Sequence, residues 1–303
     1  MNKQILILSI IIITTIGSFS LYAIDDNAIP VLEKELQTSK GQERFYILHE
    51  LSELYIQEDI DKSIEYGNLA LQTAIGLEDG MLEARALENM GNIYSAKQDW
   101  GEAINFFIKA KDALLTLNND RLYIDVILKV ADIYQRVNDD EKAAKFLAEG
   151  ILHIRDSSNI ARFQARIGYV SYKLNDFDKA LYYYNKAKTY YSNNNFYYKT
   201  IEVLDNIALL YNDWGKFDLS ISSYLKSLDM YTTLKDKNGI VNSYFKLAKV
   251  YYNKGNNDSA RLFIQKVISS GKEINQKDIV ANTYLLLGLI HKSQDQINEA
   301  IAD

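Results

Sequence analysis

The sequence predicts an all-α fold, a row of antiparallel helix pairs, and three observations carry that prediction. The 303-residue chain matches itself at a near-constant interval: small residues stand at Ser52, Gly91, Ala131, Gly168, Ala208, Ala248 and Gly288, in steps of 39, 40, 37, 40, 40 and 40. Recurrence on this scale marks stacked supersecondary units. Three residues after each small residue comes an aromatic or its substitute: Tyr55, Tyr94, Tyr134, Ser171, Tyr211, Tyr251 and His291. A second small residue follows eleven or twelve places after the first, at Ser63, Ala103, Ala143, Ala180, Ser220, Ala260 and Ala300. Within each half, apolar residues recur at three and four, as in Ile207, Leu210 and Tyr211, which is the helical period.

Composition agrees and excludes several functions. With 48% hydrophobic residues the chain can bury a sizeable core, and one proline leaves its helices unbroken. Forty Asp and Glu against 34 Lys and Arg, a net charge of -6, lack the concentrated positive charge that nucleic-acid binding needs. Zero cysteines exclude disulfides, thiolate metal sites and cysteine nucleophiles.

The elements follow in order. Lys3, an apolar run from Ile5 to Ile16, the small residues near Gly17 to Ala23 and the pair Asp25-Asp26 have the order of a secretory signal. The run contains Ser9, Thr14 and Thr15 and falls short of the roughly 20 residues of a membrane span. A signal peptide over 1–23 is therefore expected to be removed, placing the chain in a bacterial periplasm or on a cell surface, or anchored in a membrane if the leader stays. A lead-in segment or helix is expected over 24–42. Repeat units are expected at about 43–79, 80–119, 120–157, 158–195, 196–236, 237–276 and, incomplete, 277–303. Polar breaks such as Lys97-Gln98-Asp99 and Asn175-Asp176 separate helices within units, and Asn118-Asn119-Asp120 and Asp156-Ser157-Ser158 separate units.

Met90-Gly91-Asn92-Ile93-Tyr94 followed by Trp100-Gly101-Glu102-Ala103-Ile104-Asn105-Phe106-Phe107-Ile108-Lys109-Ala110 resembles a tetratricopeptide repeat, as do Ile207-Ala208-Leu209-Leu210-Tyr211 and Asp178-Lys179-Ala180-Leu181-Tyr182-Tyr183-Tyr184. The resemblance runs from about Glu43 to the end. It implies a right-handed superhelical solenoid of about six full repeats plus a truncated seventh. The period near 40 exceeds the commoner 34, the closing proline is missing, and Ser171 and His291 replace the aromatic. Long-period chains of this kind are similar to the extracytoplasmic sensing regions of bacterial histidine kinases. Since the seventh unit's second helix is only Ile297 to Asp303, too short to cover Leu285, Leu286, Leu289 and Ile290, a continuation past Asp303 is expected; a complete chain with a partner-covered end is the other reading.

Reactive chemistry is not legible. His49, His153 and His291 occupy different repeat slots without metal-ligand spacing, and no phosphate loop, nucleophile elbow or HExxH pattern occurs. The runs from Asp59 to Asp61 and from Asp139 to Glu141 read as helix starts, where negative charge suits the dipole. The tyrosine blocks Tyr182-Tyr183-Tyr184, Tyr190-Tyr191 and Tyr197-Tyr198 read as filling space between helices, because consecutive helical residues diverge. No enzyme activity, cofactor or metal is expected.

What remains is a surface. The first helix of each unit is expected to line a groove, with Asn89, Asn92, Lys129, Arg136, Arg162, Arg166, Tyr169, Tyr172, Lys173, Asn206 and Lys246 facing a bound protein or peptide. Units three and four set Lys129 beside Arg166 and Arg136 beside Lys173. Asp125 and Asp132 offer Lys129 pairs within its own helix, whereas no acidic residue occurs between Ser157 and Asn175. That stretch is expected to receive an anionic peptide segment or a free carboxylate. The functional expectation is an exported docking scaffold without catalysis; the alternative is the input region of a longer signal-transduction protein, such as a sensor histidine kinase.

Overall fold

A computed structural model describes residues 28–117 and 119–293; the expected leader, the start of the lead-in and the stub from Ile297 lie outside them. The described residues form fourteen α-helices and no strand: α1 (Ala28–Leu36), α2 (Gly41–Leu54), α3 (Ile60–Gly76), α4 (Gly80–Ala96), α5 (Trp100–Leu117), α6 (Asp120–Arg136), α7 (Asp140–Gly150), α8 (Ser157–Lys173), α9 (Phe177–Asn193), α10 (Tyr197–Asp213), α11 (Phe217–Thr233), α12 (Lys237–Asn253), α13 (Asn257–Glu273) and α14 (Lys277–Ser293). The chain divides into two compact units, Met1–Lys109 and Ala110–Asp303.

The repeat length has a local cause. Most helices are 17 residues long and three-residue breaks separate them, so one helix begins every twenty residues and one pair every forty. Each three-residue break uses one left-handed residue, such as Asn138, Asn175, Asn195, Asn275, Gly215 or Gly255, followed by the residue before the next helix. Asp79, Asp139, Asp176 and Asp236 accept backbone N–H bonds there as N-caps, and Asp59 and Asp156 do so after longer breaks; each such cap contributes about 1 kcal/mol. The extra length over the commoner period therefore lies in the helices themselves. The one short step, 37, arises because α7 stops at Gly150 and a 3₁₀ turn, Ile151–His153, replaces its last turns.

Inside each unit a helix packs on its sequence neighbours, α2 on α3 and α3 on α4 in the first, α6 through α14 successively in the second. First helices of adjacent pairs also touch, as α8 with α10 and α12 with α14. The core is a series of local clusters; one joins Ala208, Tyr224, Leu247, Ala248, Ile264 and Ile290, another Ala161, Ala180, Tyr184, Ala187 and Ile207. Such nearest-neighbour cores are what a repeat array predicts.

The small residues behave as the sequence predicts. Gly91 and Gly168 are places where a Cβ would stand 2.5 Å from the Phe107 ring and 2.8 Å from that of Tyr184. The aromatic positions pair across the two helices: Tyr55 stacks on Tyr66 at 5.5 Å, Tyr94 on Phe106 at 5.4 Å and Tyr251 on Phe263 at 5.5 Å. Each such pair adds about 0.5–1.5 kcal/mol beyond buried area. In the fourth pair Ser171 takes the slot, and its buried hydroxyl has no partner among the described residues. The tyrosine blocks split: Tyr184 and Tyr191 are buried, whereas Tyr182, Tyr197 and Tyr198 are exposed, so only part of each block fills space between helices.

Helix α1 latches onto the first pair. Leu32 packs with Ile47, Leu51 and Tyr55, and the Glu33 carboxylate accepts hydrogen bonds from Tyr55 at 2.8 Å and Tyr66 at 3.0 Å. Glu33→Ala leaves the hydroxyls of the buried Tyr55 and the half-buried Tyr66 without this acceptor, and stability is expected to fall by about 1 kcal/mol or more. Urea unfolding reads this; an unchanged midpoint means that the latch carries no stability.

Candidate functional site

A groove of about 430 Å³ crosses three successive first helices, α6, α8 and α10. Its depth traces to one residue. Three places before the small residue, the repeats carry Leu128, Ala165, Asp205, Phe245 and Leu285 in the second unit; only α8 has a side chain as short as alanine there. Ala165 thus leaves a depression bordered by Leu128 and Asp132 on one side and by Lys199, Glu202 and Asn206 on the other.

One of its charge pairs crosses between helices and another lies within α10. Arg166 is ion-paired with Asp132 of the preceding pair, and its guanidinium lies 5.9 Å from the Tyr169 ring centre. Burial pushes the Arg166 pKa below its ordinary value, and its Nε is buried without a partner among the described residues. Lys199 holds Glu202 at 3.0 Å. Arg162 is exposed on the groove wall, and Tyr169 beside it is 39% exposed.

The sequence-predicted residues divide accordingly. Arg162, Arg166, Tyr169 and Asn206 line one groove. Tyr172 donates its hydroxyl to Asp213 of α10 and is half-buried, with its pKa pushed up to about 12 chiefly by burial. Lys173 and Arg136 are exposed, while Lys129 is half-buried and has a partner. Lys246 pairs with Asp205 at 2.6 Å. Asn89 does not face solvent: it is 1% exposed and donates to Ser52 Oγ at 2.6 Å. Asn92 donates to Glu88 of its own helix at 2.9 Å. These two asparagines belong to the first unit.

The expectation that α8 is free of acidic partners is corrected. The absence of acids between Ser157 and Asn175 holds only along the chain, because adjacent helices supply Asp132 and Asp213. Stacked first helices bring residue i beside residue i+41, as in Tyr172 with Asp213, Asp205 with Lys246, and Asn212 with Asn253 at 2.9 Å. Asp132, Ala165, Lys199 and Glu202 were missed as groove residues; for Ala165 the available signal was the repeat alignment itself, read for side-chain size, whereas Asp132 reaches Arg166 from 34 positions away, off the one-period-plus-one register.

Among the described residues no three His, Cys, Asp or Glu side chains are grouped to hold a metal ion, and no helix is long and apolar enough to cross a membrane.

A family model described as "Soluble NSF attachment protein, SNAP" matches residues 84–226, and one described as "Tetratricopeptide repeat" matches residues 241–270. No curated protein matches the chain. Among solved structures, BtubC from P. vanneervenii is similar at 16% identity, over 72% of this chain and 92% of that one, with a TM-score of 0.58. A signal transduction ATPase with numerous domains and a tetratricopeptide repeat sensor, from Pyrococcus horikoshii, is similar at 12% identity over 88% of this chain, with a TM-score of 0.64; the match spans 41% of that longer protein. The nearly identical TPR-like repeats of a kinesin light chain from Podosopora anserina are similar at 12% identity, over 64% of this chain and 96% of that one, with a TM-score of 0.54. At such identities the likeness is one of fold.

Proposed function

Given that the chain is built of tetratricopeptide-type repeats, we propose that it is a docking scaffold that binds a protein or peptide and catalyses nothing. The supporting observation is the groove over Ala165, lined by the exposed Arg162, by Arg166 and by the exposed face of Tyr169. Arginine grips a carboxylate with parallel hydrogen bonds, and tyrosine adds contact area with few rotors to order. The bound segment is anionic, an acidic stretch or a free carboxyl terminus, because Arg166 is already half-satisfied by Asp132 and Arg162 offers the remaining charge. The scaffold works outside the cytoplasm, on the reading of residues 1–23 as a removed leader; amino-terminal sequencing of the chain from its native envelope fraction tests this.

A random-peptide display selection on the intact chain, decoded with the Arg162→Glu variant, tests the groove. Acidic or carboxyl-terminal peptides that lose roughly tenfold or more in affinity to the variant are expected, the scale of one lost charge-assisted hydrogen bond. Selected peptides bound equally by both proteins would remove this groove from the proposal.

A further inference from the structure

A second groove lies elsewhere in the same unit, formed by second helices. It has a volume of about 890 Å³, with α9 and α11 as walls and α10 as floor. The repeat register explains why it opens there. The floor residues are Thr200 and Leu204; forty residues later, in the same slots of α12, stand Ile240 and Tyr244. Tyr244 lies against Phe263 of α13, ring centres 6.1 Å apart, where the repeat before has the smaller Leu204 and Ser223.

The groove is amphipathic. Leu204 and Ile221 form an apolar base, each 8% exposed, and Leu225 on the α11 wall is 42% exposed. Lys188 and Lys226 face it from opposite walls. The Lys188 ammonium donates to the neutral side-chain oxygen of Asn185 at 2.7 Å. Its pKa is pushed down by burial and, less, by the Lys226 charge. Asp218 on the rim is held by Lys254 at 2.5 Å.

We propose that this groove between α9 and α11 docks an amphipathic, acidic helical segment of a partner protein, its apolar face on Leu204, Ile221 and Leu225 and a carboxylate between Lys188 and Lys226. Two helical walls over an apolar base match the helix-in-groove mode of recognition. Charge complementarity sets the sign at this point of the groove: Lys188 and Lys226 offer an anion two cations from facing walls, while of the carboxylates in the lining Asp218 is held by Lys254 and Asp229 stands three residues from Lys226 on its own helix. The walls favour a macromolecular segment over a hydrocarbon tail: Leu225, Lys226 and Asp229 are all exposed, so a tail would keep one side in water, whereas a helix turns a polar face outward.

The site is independent of the Arg162 groove, and the same display selection separates the two. Decoding uses Lys226→Glu, at an exposed position, and Lys188→Gln, with circular dichroism confirming that both variants fold. Peptides with acidic and apolar residues at helical spacing are expected to lose roughly tenfold or more in affinity to each lysine variant and to bind Arg162→Glu normally. Three outcomes overturn the proposal: no peptide depends on Lys188 or Lys226; the dependent peptides lack acidic residues; or dodecanoate shifts the lysine side-chain resonances while no selected peptide does, which assigns the groove to a lipid-like amphiphile. Failure at Arg162 leaves these outcomes readable, and the reverse holds as well.

Discussion

Replacing Gly168 by leucine will lower the stability of the folded chain by about 1–3 kcal/mol, and Tyr184→Ala will lower it by about 3–5 kcal/mol, yet the double variant will lose less than the sum. Gly168 on α8 and Tyr184 on α9 share one volume: a Cβ at 168 would stand 2.8 Å from the ring, and the ring is 1% exposed. The same two slots, sixteen residues apart, hold Gly91 with Phe107, Ala131 with Leu147, Ala208 with Tyr224 and Ala248 with Ile264, so each of these glycines goes with a large ring, whereas alanine goes with an aliphatic twice and with a ring once. Residues that divide one space are coupled, and a double-mutant cycle reads the coupling directly. Denaturant unfolding of the four proteins is the measurement. Strict additivity would show that the two side chains do not compete for that volume, and the complementarity argument would be lost.

Alkaline unfolding is the second large effect. Tyr55, Tyr66, Tyr123, Tyr172, Tyr191 and Tyr231 have pKa values pushed from 10.0 up to about 12, chiefly by burial, and Tyr184 and Tyr224 are pushed up further by the same cause. A group whose folded pKa is raised contributes its stability fully below the unfolded value and loses it as pH rises through the folded value. Between pH 10 and 12 the unfolded chain releases these protons and the folded chain keeps them, so stability falls in that window. For a buried member such as Tyr184 the fall is about 1.4 kcal/mol per pH unit above the unfolded value. Tyrosinate absorbance and helical circular dichroism, followed together with pH, are expected to show these tyrosines ionising only as helix is lost. Complete ionisation with the helices intact at pH 12 would contradict the burial argument.

The helices, the repeat and its phase were legible because their causes are local. A three-residue break with one left-handed residue and an aspartate or asparagine cap depends on neighbours a few positions away, and the alternation of small and large residues depends on a partner helix only one turn of chain distant. Even the shortened step of 37 was visible, although its form, a helix cut at Gly150 and continued as a 3₁₀ turn, was not. Asn89 shows where slot reasoning fails: its position suggested a solvent-facing amide, but the neighbouring pair closes over it and Ser52 takes its hydrogen bond.

By itself, then, the sequence determined that this protein is a row of helix pairs, where each repeat falls and which small and aromatic positions recur within a pair. The tertiary structure decided which charges are spent and where the surface opens. Arg166 reads as an unopposed cation until Asp132 arrives from another helix, and the grooves over Ala165 and Leu204 are each lined by residues of successive helix pairs. The physical reason is one of range: hydrogen-bonded breaks and helical periodicity act over a few residues, whereas a surface charge or hollow is defined by side chains 34 to 41 positions away, brought near by stacking alone.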